Sequence, residues 1–307
     1  ARRGAVGLED VPGAKRAANP ERRRRGIIAR SAASAAAMIS VVVTTYNRPD
    51  ALRAVLAGLA AQADRGFEVL VADDGSRDDT RALVGSAART APVPVHHVWQ
   101  EDRGFRAGAA RNRATAQARG EYVVYLDGDC VPRPTFVARH RQLAERGWMV
   151  AGNRVLLTEA FTHTVLQQQA PIHAWPDAQW QAARRRGDIN RTLPLAHLPL
   201  GPLRKLAARR WQRVRTCNLG VWRADIVAVN GFDEAFEGWG YEDSDLAVRL
   251  INAGVRRKEG AYATGVLHMW HRENDRRSEG DNWLRLQARI REGAVVAERG
   301  IGQYATA

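Results

Sequence analysis

The first half of the chain contains four short apolar runs, separated from one another by turns and helical patterns. The run Ile39–Thr45 is continuous and rich in valine, which is typical of a strand buried on both faces of a parallel sheet. Comparable runs begin at Phe67, Val93 and Tyr122. Because strands that alternate with helices form a parallel sheet covered on both faces, the pattern predicts a Rossmann-like α/β fold, with a mostly parallel central sheet flanked by helices.

Helical patterns fill the intervals between these runs and return near the end of the chain. In the first half we predict helices over residues 50–59, from Asp78 or Asp79 onward, and over 105–120. In the second half we predict a helix over 242–252, a strand over 263–267 and one amphipathic helix from Asn282. Residues 159–213 show no clean periodicity, as expected of an irregular region that faces a substrate.

The composition is that of a globular protein with an excess of positive charge. With 307 residues the chain is long enough to bury a substantial core, and its formal net charge is +14. Such a charge suits nucleic acid, an anionic membrane surface or phosphorylated ligands, and composition leaves the three open. Residues 1–37, which include four arginines at 22–25, predict a flexible basic tail.

Two other classes of protein are disfavoured by the sequence. No run of about 18 apolar residues predicts a membrane-spanning helix. Two cysteines, Cys130 and Cys217, are too few for a disulfide framework. We therefore expect reduced thiols and a cytoplasmic protein.

The motif Asp127-Gly128-Asp129 follows the fourth apolar run directly. In an extended segment alternate side chains point the same way, so both carboxylates can reach one divalent cation and the phosphates bound to it. Asp-Gly is also a favoured turn dipeptide, and the motif alone favours a surface turn over a metal site.

Three further motifs precede this one along the chain. They are Thr44-Thr45-Tyr46-Asn47-Arg48-Pro49, Asp73-Asp74-Gly75-Ser76 and Arg111-Asn112. In this order, and over residues 39–150, the motifs resemble the nucleotide-sugar half of family 2 glycosyltransferases with the GT-A fold. The resemblance implies a single GT-A catalytic domain, in which residues 38–150 bind the nucleotide sugar. Residues 151–307 would form the acceptor-binding half together with the C-terminal helix.

The same resemblance implies roles for individual donor-side residues. The nucleoside would be held by Thr45, Tyr46, Asn47, Arg48 and Asp74. Asp127 is expected at the ribose and metal edge, and Asp129 is expected to bind the metal, Mn²⁺ or Mg²⁺, that bridges the diphosphate. The diphosphate also needs basic donors, and Arg111 matches the family pattern better than Arg103 or Arg106.

The acceptor side is represented by Gly238-Trp239-Gly240-Tyr241-Glu242-Asp243-Ser244-Asp245. This segment resembles the acceptor motif of galactosyltransferase-like GT-A enzymes. Acidic residues are also common at the start of any helix, because the helix dipole stabilises carboxylates there. We predict that Asp243 is the general base, that Glu242 and Trp239 bind the acceptor, and that Asp245 braces the helix.

Two segments in the second half complete the predicted site. His268 and His271 follow the last predicted strand, and at least one of them is expected to bind the metal beside Asp129, because imidazole suits Mn²⁺ and the family supplies a late histidine. Cys217-Asn218 resembles a family segment that lines the sugars. We predict that Asn218 binds the acceptor or the transferred sugar and that Cys217 is a small buried apolar residue.

The predicted function is that of a metal-dependent, inverting glycosyltransferase. The resemblance implies transfer of a hexose or N-acetylhexosamine from a UDP-sugar to a glycan acceptor, free or lipid-linked, in bacterial lipopolysaccharide, capsule or other surface polysaccharide synthesis. A basic protein without a membrane span suits a cytoplasmic location, with peripheral contact to the anionic inner face of the plasma membrane.

Two alternatives belong to other classes of protein. A nucleotidyltransferase acting on sugar phosphates usually has a glycine- and lysine-containing phosphate loop after the first strand, and residues 44–50 contain neither. A basic nucleic-acid-binding protein would cluster its arginines, whereas beyond the tail they are dispersed among acidic motifs. We therefore expect no nucleic-acid partner.

Overall fold

Ten strands form two sheets in the part of the chain that the computed structural model describes, residues 37–273 and 275–304. The strands are β1 (Ile39–Thr45), β2 (Phe67–Asp73), β3 (Val95–Trp99), β4 (Tyr122–Asp127), β5 (Cys130–Pro132), β6 (Trp148–Ala151), β7 (Arg154–Leu156), β8 (Asn218–Trp222), β9 (Arg256–Glu259) and β10 (Val266–His268). The main sheet has the order β3-β2-β1-β4-β8-β6-β9, and β5-β10-β7 form a smaller sheet. The predicted tail lies outside the described residues, except for Ala37.

Nine α-helices surround these sheets in the described part of the chain. They are α1 (Pro49–Ala60), α2 (Asp78–Thr90), α3 (Ala107–Gln117), α4 (Phe136–Leu143), α5 (Glu159–Gln167), α6 (Asp177–Arg186), α7 (Arg223–Ala228), α8 (Glu242–Asn252) and α9 (Glu279–Glu292). Short 3₁₀ helices lie at Ile172–Ala174, Leu193–Leu195, Gly201–Lys205, Trp211–Arg213 and Ile301–Tyr304. No helix among the described residues is both long and apolar enough to cross a bilayer.

The main sheet is buried on both faces, as the continuous valine run in β1 predicts. Val43 packs in one core cluster with Leu52 of α1, and its neighbour Val42 packs in the other with Ala110 of α3 and Leu246 of α8. In this sheet β8 runs antiparallel to β4 and β6, whereas the other described pairs are parallel. The predicted α/β fold with a mostly parallel, helix-flanked sheet is confirmed.

The register of β1, β2 and β4 brings the sequence motifs to one edge of the main sheet. Thr45 pairs with Asp73 of β2, and Thr44 pairs with Asp127 of β4. The backbone N–H of Gly128 donates to the Thr44 carbonyl at 2.7 Å. A Cβ at position 128 would lie 2.8 Å from that oxygen, so only glycine allows this close approach.

The smaller sheet places the late histidines at the same edge. β10 runs antiparallel to β5, and His268 pairs with Cys130. The N–H of Met269 donates to the carbonyl of Asp129 at 2.9 Å. Residues separated by more than a hundred positions therefore meet through backbone hydrogen bonds.

Two boundaries in the C-terminal region differ from the prediction. The last strand is Val266–His268 rather than 263–267, and it joins the smaller sheet. The single helix predicted from Asn282 to the end of the chain is wrong in its extent, because α9 ends at Glu292 and is followed by Gly293 in the left-handed conformation (φ 63°) that terminates many helices. A 3₁₀ helix, Ile301–Tyr304, follows it.

The sequence analysis missed several elements of the second half. Residues 159–213 contain α5, α6 and four of the 3₁₀ helices. Strand β9 was missed because its sequence, Arg-Arg-Lys-Glu, has no apolar residue. β9 is the edge strand of the main sheet, where charged side chains are common.

Helix α8 is braced by an ion pair within its own length. The guanidinium of Arg249 donates from Nε and Nη2 to Oδ2 of Asp245 at 2.8 and 2.6 Å, and both side chains are fully buried. Arg249 Nη1 also donates to the carbonyl of Val229 at 2.7 Å. Asp245 thus has the bracing contacts predicted for it, which fix the first turn of α8 against the chain before it.

Replacing Arg249 with methionine would leave the Asp245 carboxylate buried without its partner. Because an uncompensated buried charge is costly, we expect the free energy of unfolding to fall by about 3–5 kcal/mol. Urea denaturation measures this change. The double variant Asp245→Leu/Arg249→Met removes both charges and should recover most of the loss; a single variant as stable as the wild type would contradict the role of the pair.

Candidate active site

The edge formed by β1, β2 and β4 carries the predicted donor-side residues. Asp127 ends β4 with its side chain 30% exposed, and Asp129 follows at 17%. Thr45 is buried beside Gly128, and its hydroxyl has no hydrogen-bond partner within the described residues. A buried hydroxyl without a partner is unfavourable, so a ligand at this edge would stabilise it.

Two imidazoles flank the Asp129 carboxylate. His268 Nε2 lies 3.8 Å from Oδ1 of Asp129, and His271 Nε2 lies 3.5 Å from Oδ2. The two rings are 5.3 Å apart. The structure therefore brings together all three residues that the sequence analysis assigned to the metal.

The orientation of these imidazoles suits a cation. His271 Nδ1 lies 2.8 Å from the carbonyl of Arg272, which can only accept, so Nδ1 donates to it and Nε2 is the ring nitrogen that faces Asp129. Burial lowers the pKa of His268 to about 4, which favours its neutral form near pH 7. Two imidazoles and one carboxylate form a donor set that fits Mn²⁺.

Arg111 connects the donor-side edge with α8. Its Nε donates to Thr44 Oγ1 at 2.9 Å, Nη2 to Asp127 Oδ1 at 3.2 Å and Nη1 to Glu242 Oε1 at 3.2 Å. The side chain is 6% exposed and its guanidinium lies over the Phe232 ring. The guanidinium of Arg111 is buried and bridges the two carboxylates, and the diphosphate contact predicted for it stays a prediction.

The next residue on α3, Asn112, makes a second link to the same region. Its Oδ1 accepts the N–H of Phe232 at 2.8 Å, and its Nδ2 donates to the Phe232 carbonyl at 2.8 Å. Gly231 (φ 69°) allows the approach, since a Cβ there would lie 2.3 Å from Asn112 Oδ1. The Arg-Asn motif of α3 therefore joins the two predicted halves.

The two carboxylates at the start of α8 are close in sequence and differ in environment. Burial raises the pKa of Glu242, and the neighbouring charge of Asp243 raises it further, whereas Arg111 opposes the shift. Asp243 is partly exposed and accepts a hydrogen bond from the Ser244 hydroxyl at 3.3 Å. Asp243 is thus the carboxylate of this pair that is not held by a cation within the described residues.

Trp239 lies in the loop just before these carboxylates and is half-buried. The guanidinium of Arg276 lies 4.7 Å from the centre of its ring. Tyr241, in a left-handed conformation, packs against Trp283 of α9 at 5.2 Å. Both aromatic side chains of the acceptor motif are therefore contacted by residues that follow the motif in the sequence, Arg276 and Trp283.

The loops after β1 and β2 are joined by two of the predicted nucleoside residues. Asn47 donates its N–H to the Ser76 hydroxyl at 2.8 Å, and its Oδ1 accepts the N–H of Arg77 at 3.0 Å. Asp74 is buried and accepts from Gln100 Nε2 and from the Arg106 N–H, each at 2.7 Å. Burial is the main influence on Asp74 and raises its pKa.

Tyr46 and Arg48 lie at the rim of the same loops. The Tyr46 hydroxyl donates to Asp102 at 2.8 Å, and this hydrogen bond raises the pKa of Tyr46. Arg48 pairs with Asp50 at 3.0 Å at the start of α1. The nucleoside roles of both residues stay predictions.

Asn218 is the site residue whose placement differs most from the prediction. It is fully buried, its Nδ2 donates to the carbonyls of Asn153 and Thr264, and its Oδ1 accepts from His140 Nε2. Burial lowers the pKa of His140 to about 4, so this imidazole is neutral. The side-chain polar atoms of Asn218 are all engaged by the protein, which gives the residue a structural role, and its predicted contact with a sugar stays a prediction.

Sequence reasoning missed two residues that border the cleft. Asp102 is exposed beside Gly75 (φ 97°) and accepts from Tyr46; no local motif marks it. Arg154 begins β7, its Nη1 lies 3.6 Å from Cys217 Sγ, and its charge acts on Asp127 and His268. Because β7 was not predicted, the sequence offered no signal for Arg154.

The family of the chain follows from this fold and site. Residues 40–201 match the family model of glycosyl transferase family 2, and residues 206–272 match a model described as the N-terminal domain of galactosyltransferase. The first match covers more than half of the chain. The chain therefore belongs to glycosyl transferase family 2, and the predicted resemblance is confirmed.

Several curated relatives are similar to this chain. Validoxylamine A glucosyltransferase of Streptomyces hygroscopicus subsp. limoneus is 31% identical over 244 residues, which cover 75% of this chain and 51% of the relative. Hyaluronan synthase of Pasteurella multocida is 27% identical over 224 residues, covering 70% and 23%. Chondroitin synthase of Escherichia coli is 27% identical over 235 residues, covering 73% and 34%. The chain thus spans about half or less of their length.

Two solved structures share the fold. A structure of S. aureus TarS aligns with a TM-score of 0.56 and 16% identity, covering 87% of this chain and 68% of that one. The mannosyltransferase PcManGT of Pyrobaculum calidifontis, in complex with GDP-Man and Mn²⁺, aligns with a TM-score of 0.52 and 20% identity, covering 83% and 61%. The predicted GT-A fold is confirmed.

Replacing Arg111 with lysine would keep the charge but lose the planar bridge between Asp127 and Glu242. Because misplacing catalytic groups by about 1 Å can cost about 100-fold in rate, we expect a fall of that order in glycosyl transfer. Arg113→Lys is the matched control, since Arg113 lies on the same helix and covers the Tyr304 ring. Release of nucleotide measures both variants; a folded Arg111→Lys protein with the wild-type rate would contradict the bridge.

Proposed function

We propose that this chain transfers a hexosyl or N-acetylhexosaminyl unit from a UDP-sugar to a glycan acceptor, with inversion and with the help of Mn²⁺ or Mg²⁺. The observation that carries the proposal is the Arg111 bridge. One guanidinium joins Asp127, at the end of β4, to Glu242, at the start of α8. Donor-side and acceptor-side carboxylates are therefore held in one cleft, as a group transfer between two bound sugars requires.

The donor assignment is supported by the strand-end loops and by similar proteins. Nucleotides bind outside the carboxyl ends of parallel strands, where Thr45 has an unpartnered hydroxyl and Tyr46 an exposed ring. TarS has been solved with UDP and with UDP-GlcNAc, and these structures share the fold of this chain. GDP-Man in PcManGT makes a GDP-sugar the competing donor.

The metal would be held by Asp129, His268 and His271. When bound, it would neutralise negative charge that develops on the leaving diphosphate. Arg154 would add a guanidinium on the same side, because its charge already acts on Asp127 and His268. We assign a diphosphate contact to Arg154 as well, because the Arg111 guanidinium already has three partners in the protein.

Acceptor activation would fall to Asp243. In an inverting transfer the acceptor oxygen attacks the anomeric carbon, the bond to the diphosphate oxygen breaks, and the acceptor proton moves to a carboxylate. Asp243 is partly exposed and forms no ion pair in the described part of the site, whereas Glu242 pairs with Arg111. Glu242, fixed by Arg111, would accept a hydrogen bond from the acceptor, and Trp239 would offer an apolar ring.

The proposed acceptor and pathway are supported by the names of similar proteins. Two of the similar proteins are named as synthases of hyaluronan and chondroitin, which are polysaccharides. A growing surface polysaccharide or a lipid-linked precursor is therefore the proposed acceptor. The buried free thiols of Cys130 and Cys217 suit a reducing compartment, in line with a cytoplasmic reaction.

Removing the metal or its carboxylate ligand should abolish the reaction. We expect one sugar nucleotide in a panel of UDP-, GDP- and dTDP-sugars to release free nucleotide with Mn²⁺, and release to stop with EDTA or in Asp129→Ala. We expect His268→Ala and His271→Ala each to lower the Mn²⁺ affinity by about tenfold or more, because each variant removes a donor atom. Titration of Mn²⁺ followed by electron paramagnetic resonance measures this affinity.

His163→Ala is the control for the two histidine variants. His163 is exposed and contacts the Trp270 ring, so it lies in the same region without facing Asp129. This variant should keep the wild-type Mn²⁺ affinity. Full nucleotide release in EDTA, or unchanged Mn²⁺ affinity in Asp129→Ala, would overturn the metal assignment.

Asp243→Asn should separate chemistry from donor binding. Loss of the proton acceptor is expected to slow transfer by about 10²–10⁴-fold. The affinity for UDP with Mn²⁺, measured by calorimetry, should stay within about twofold of the wild-type value. Asp281→Asn is the matched control, since Asp281 is an exposed acid in the first turn of α9. A variant that transfers sugar at the wild-type rate would exclude Asp243 as the base.

A further inference from the structure

Exposed leucines are concentrated in one short segment of the chain. Six leucines of the described residues are largely exposed: Leu156, Leu193, Leu198, Leu203, Leu206 and Leu284. Four of them, Leu193, Leu198, Leu203 and Leu206, lie within fourteen consecutive residues and are called the leucine patch below. Leu203 and Leu206 reach 60% and 80% exposure. Single exposed leucines are ordinary, but such a cluster indicates an interaction surface.

The segment is anchored by a polar side chain while its apolar side chains face outward. Arg204 is buried, and its guanidinium donates to the carbonyls of Glu259, Ala261 and Leu198 at 2.7–2.9 Å. Leu203 and Leu206 flank Arg204 and are separated by one turn, so they project on a similar side. In this arrangement the charged side chain is buried and the leucines are exposed, whereas a surface that contacts only water usually has charged side chains outside and leucines inside.

Positive charge surrounds the leucine patch. Residues 191–215 contain seven arginines and lysines and no acidic residue, so in this segment the arginines are not dispersed among acidic motifs as the sequence analysis expected. Arg209, Arg210 and Arg213 are exposed and form no ion pair with any described residue. Unpaired guanidiniums beside exposed leucines complement a surface that is anionic outside and apolar inside.

A cavity opens beside the patch and shares its charge. It has a volume of about 620 Å³, and Leu198 and Pro199 line it together with Arg139, Lys205 and Lys258. Glu145 is the acidic residue among its lining side chains, where it pairs with both lysines. The net charge of the lining is positive, which suits an anionic headgroup at the base of the leucines.

We propose that residues 193–213 dock this enzyme on an anionic phospholipid bilayer, with the leucine patch inserted at the headgroup boundary and the arginines on lipid phosphates. Apolar insertion and electrostatic attraction act together in such interfacial segments. The partner is identified by complementarity: a protein partner would need to supply both an apolar groove and many carboxylates, whereas an anionic bilayer offers both features everywhere.

The docking surface starts next to the active site. Arg191, at the beginning of the cationic segment, donates to the carbonyl of Arg154 at 3.1 Å, and the charge of Arg154 acts on Asp127. An acceptor carried on the bilayer would thus be presented close to the cleft. Bilayer binding itself needs neither donor nor acceptor, so its failure and the failure of the proposed glycosyl transfer are distinguishable.

The test is co-sedimentation of the full chain with vesicles. We expect binding to mixed phosphatidylglycerol and phosphatidylcholine vesicles at about 0.15 M salt, and little binding to phosphatidylcholine alone. The double variant Leu203→Ser/Leu206→Ser should lower the partition coefficient about tenfold or more, because two leucines no longer insert. Every variant keeps all charges, including the arginines at 22–25, so a loss reports on the leucines and not on the basic N-terminal region.

Leu284→Ser is the matched control. Leu284 is 67% exposed on α9, so its replacement also removes an exposed leucine but away from the patch, and binding should be unchanged. Circular dichroism and thermal unfolding confirm that the double variant is folded. Binding that is equal in the double variant and the wild type would overturn the proposal. So would a wild-type dimer in light scattering that the double variant reduces to a monomer while vesicle binding stays absent.

Discussion

The site depends on one buried guanidinium. Arg111 is placed by α3 beneath the ends of β1 and β4, and it reaches Glu242, 131 positions further along the chain. The cost of burying this cation is offset because Asp127, Glu242 and Thr44 accept hydrogen bonds from it. The positive charge of Arg111 in turn offsets the cost of burying the two carboxylates. The donor edge and the acceptor helix are therefore mutually dependent, and neither half has a satisfied set of charges alone.

A second constraint is backbone pairing rather than charge. The smaller sheet exists because β5 turns away immediately after the Asp127-Gly128-Asp129 motif and pairs with β10. That register fixes His268 beside Asp129 to within one residue, since a slip of one position would point the imidazole to the opposite face. Two parts of the chain that are far apart in sequence thus share one ligand set, whose geometry is set by hydrogen bonds of the main chain.

Motifs could be predicted from the sequence where chemistry limits which residue type can occupy a position. The placement of a side chain could not be predicted where packing between distant elements determines it. Continuous valines predict β1, and glycine between two aspartates predicts a close approach, because few other residues suit those positions. The burial of Asn218 and the bridging role of Arg111 depend on contacts from α4, Asn153 and α8, and no local pattern encodes these. Strand β9 lacks an apolar signal because it lies at the sheet edge, and Arg154 was missed together with β7.

Carboxylates outnumber cations in the cleft, although the chain as a whole is strongly basic. Four carboxylates, those of Asp127, Asp129, Glu242 and Asp243, share the region with two guanidiniums, those of Arg111 and Arg154. Burial raises the pKa of Asp127 and Glu242, and the neighbouring charge of Arg111 opposes this shift. A sugar diphosphate would add negative charge here, so its binding is unfavourable unless a cation accompanies it. Imidazoles at Asp129 leave the carboxylate available to that cation, whereas an arginine in their place would neutralise it permanently. Half of the net charge of +14 lies elsewhere, in residues 191–215, which contain seven basic residues and no acidic one.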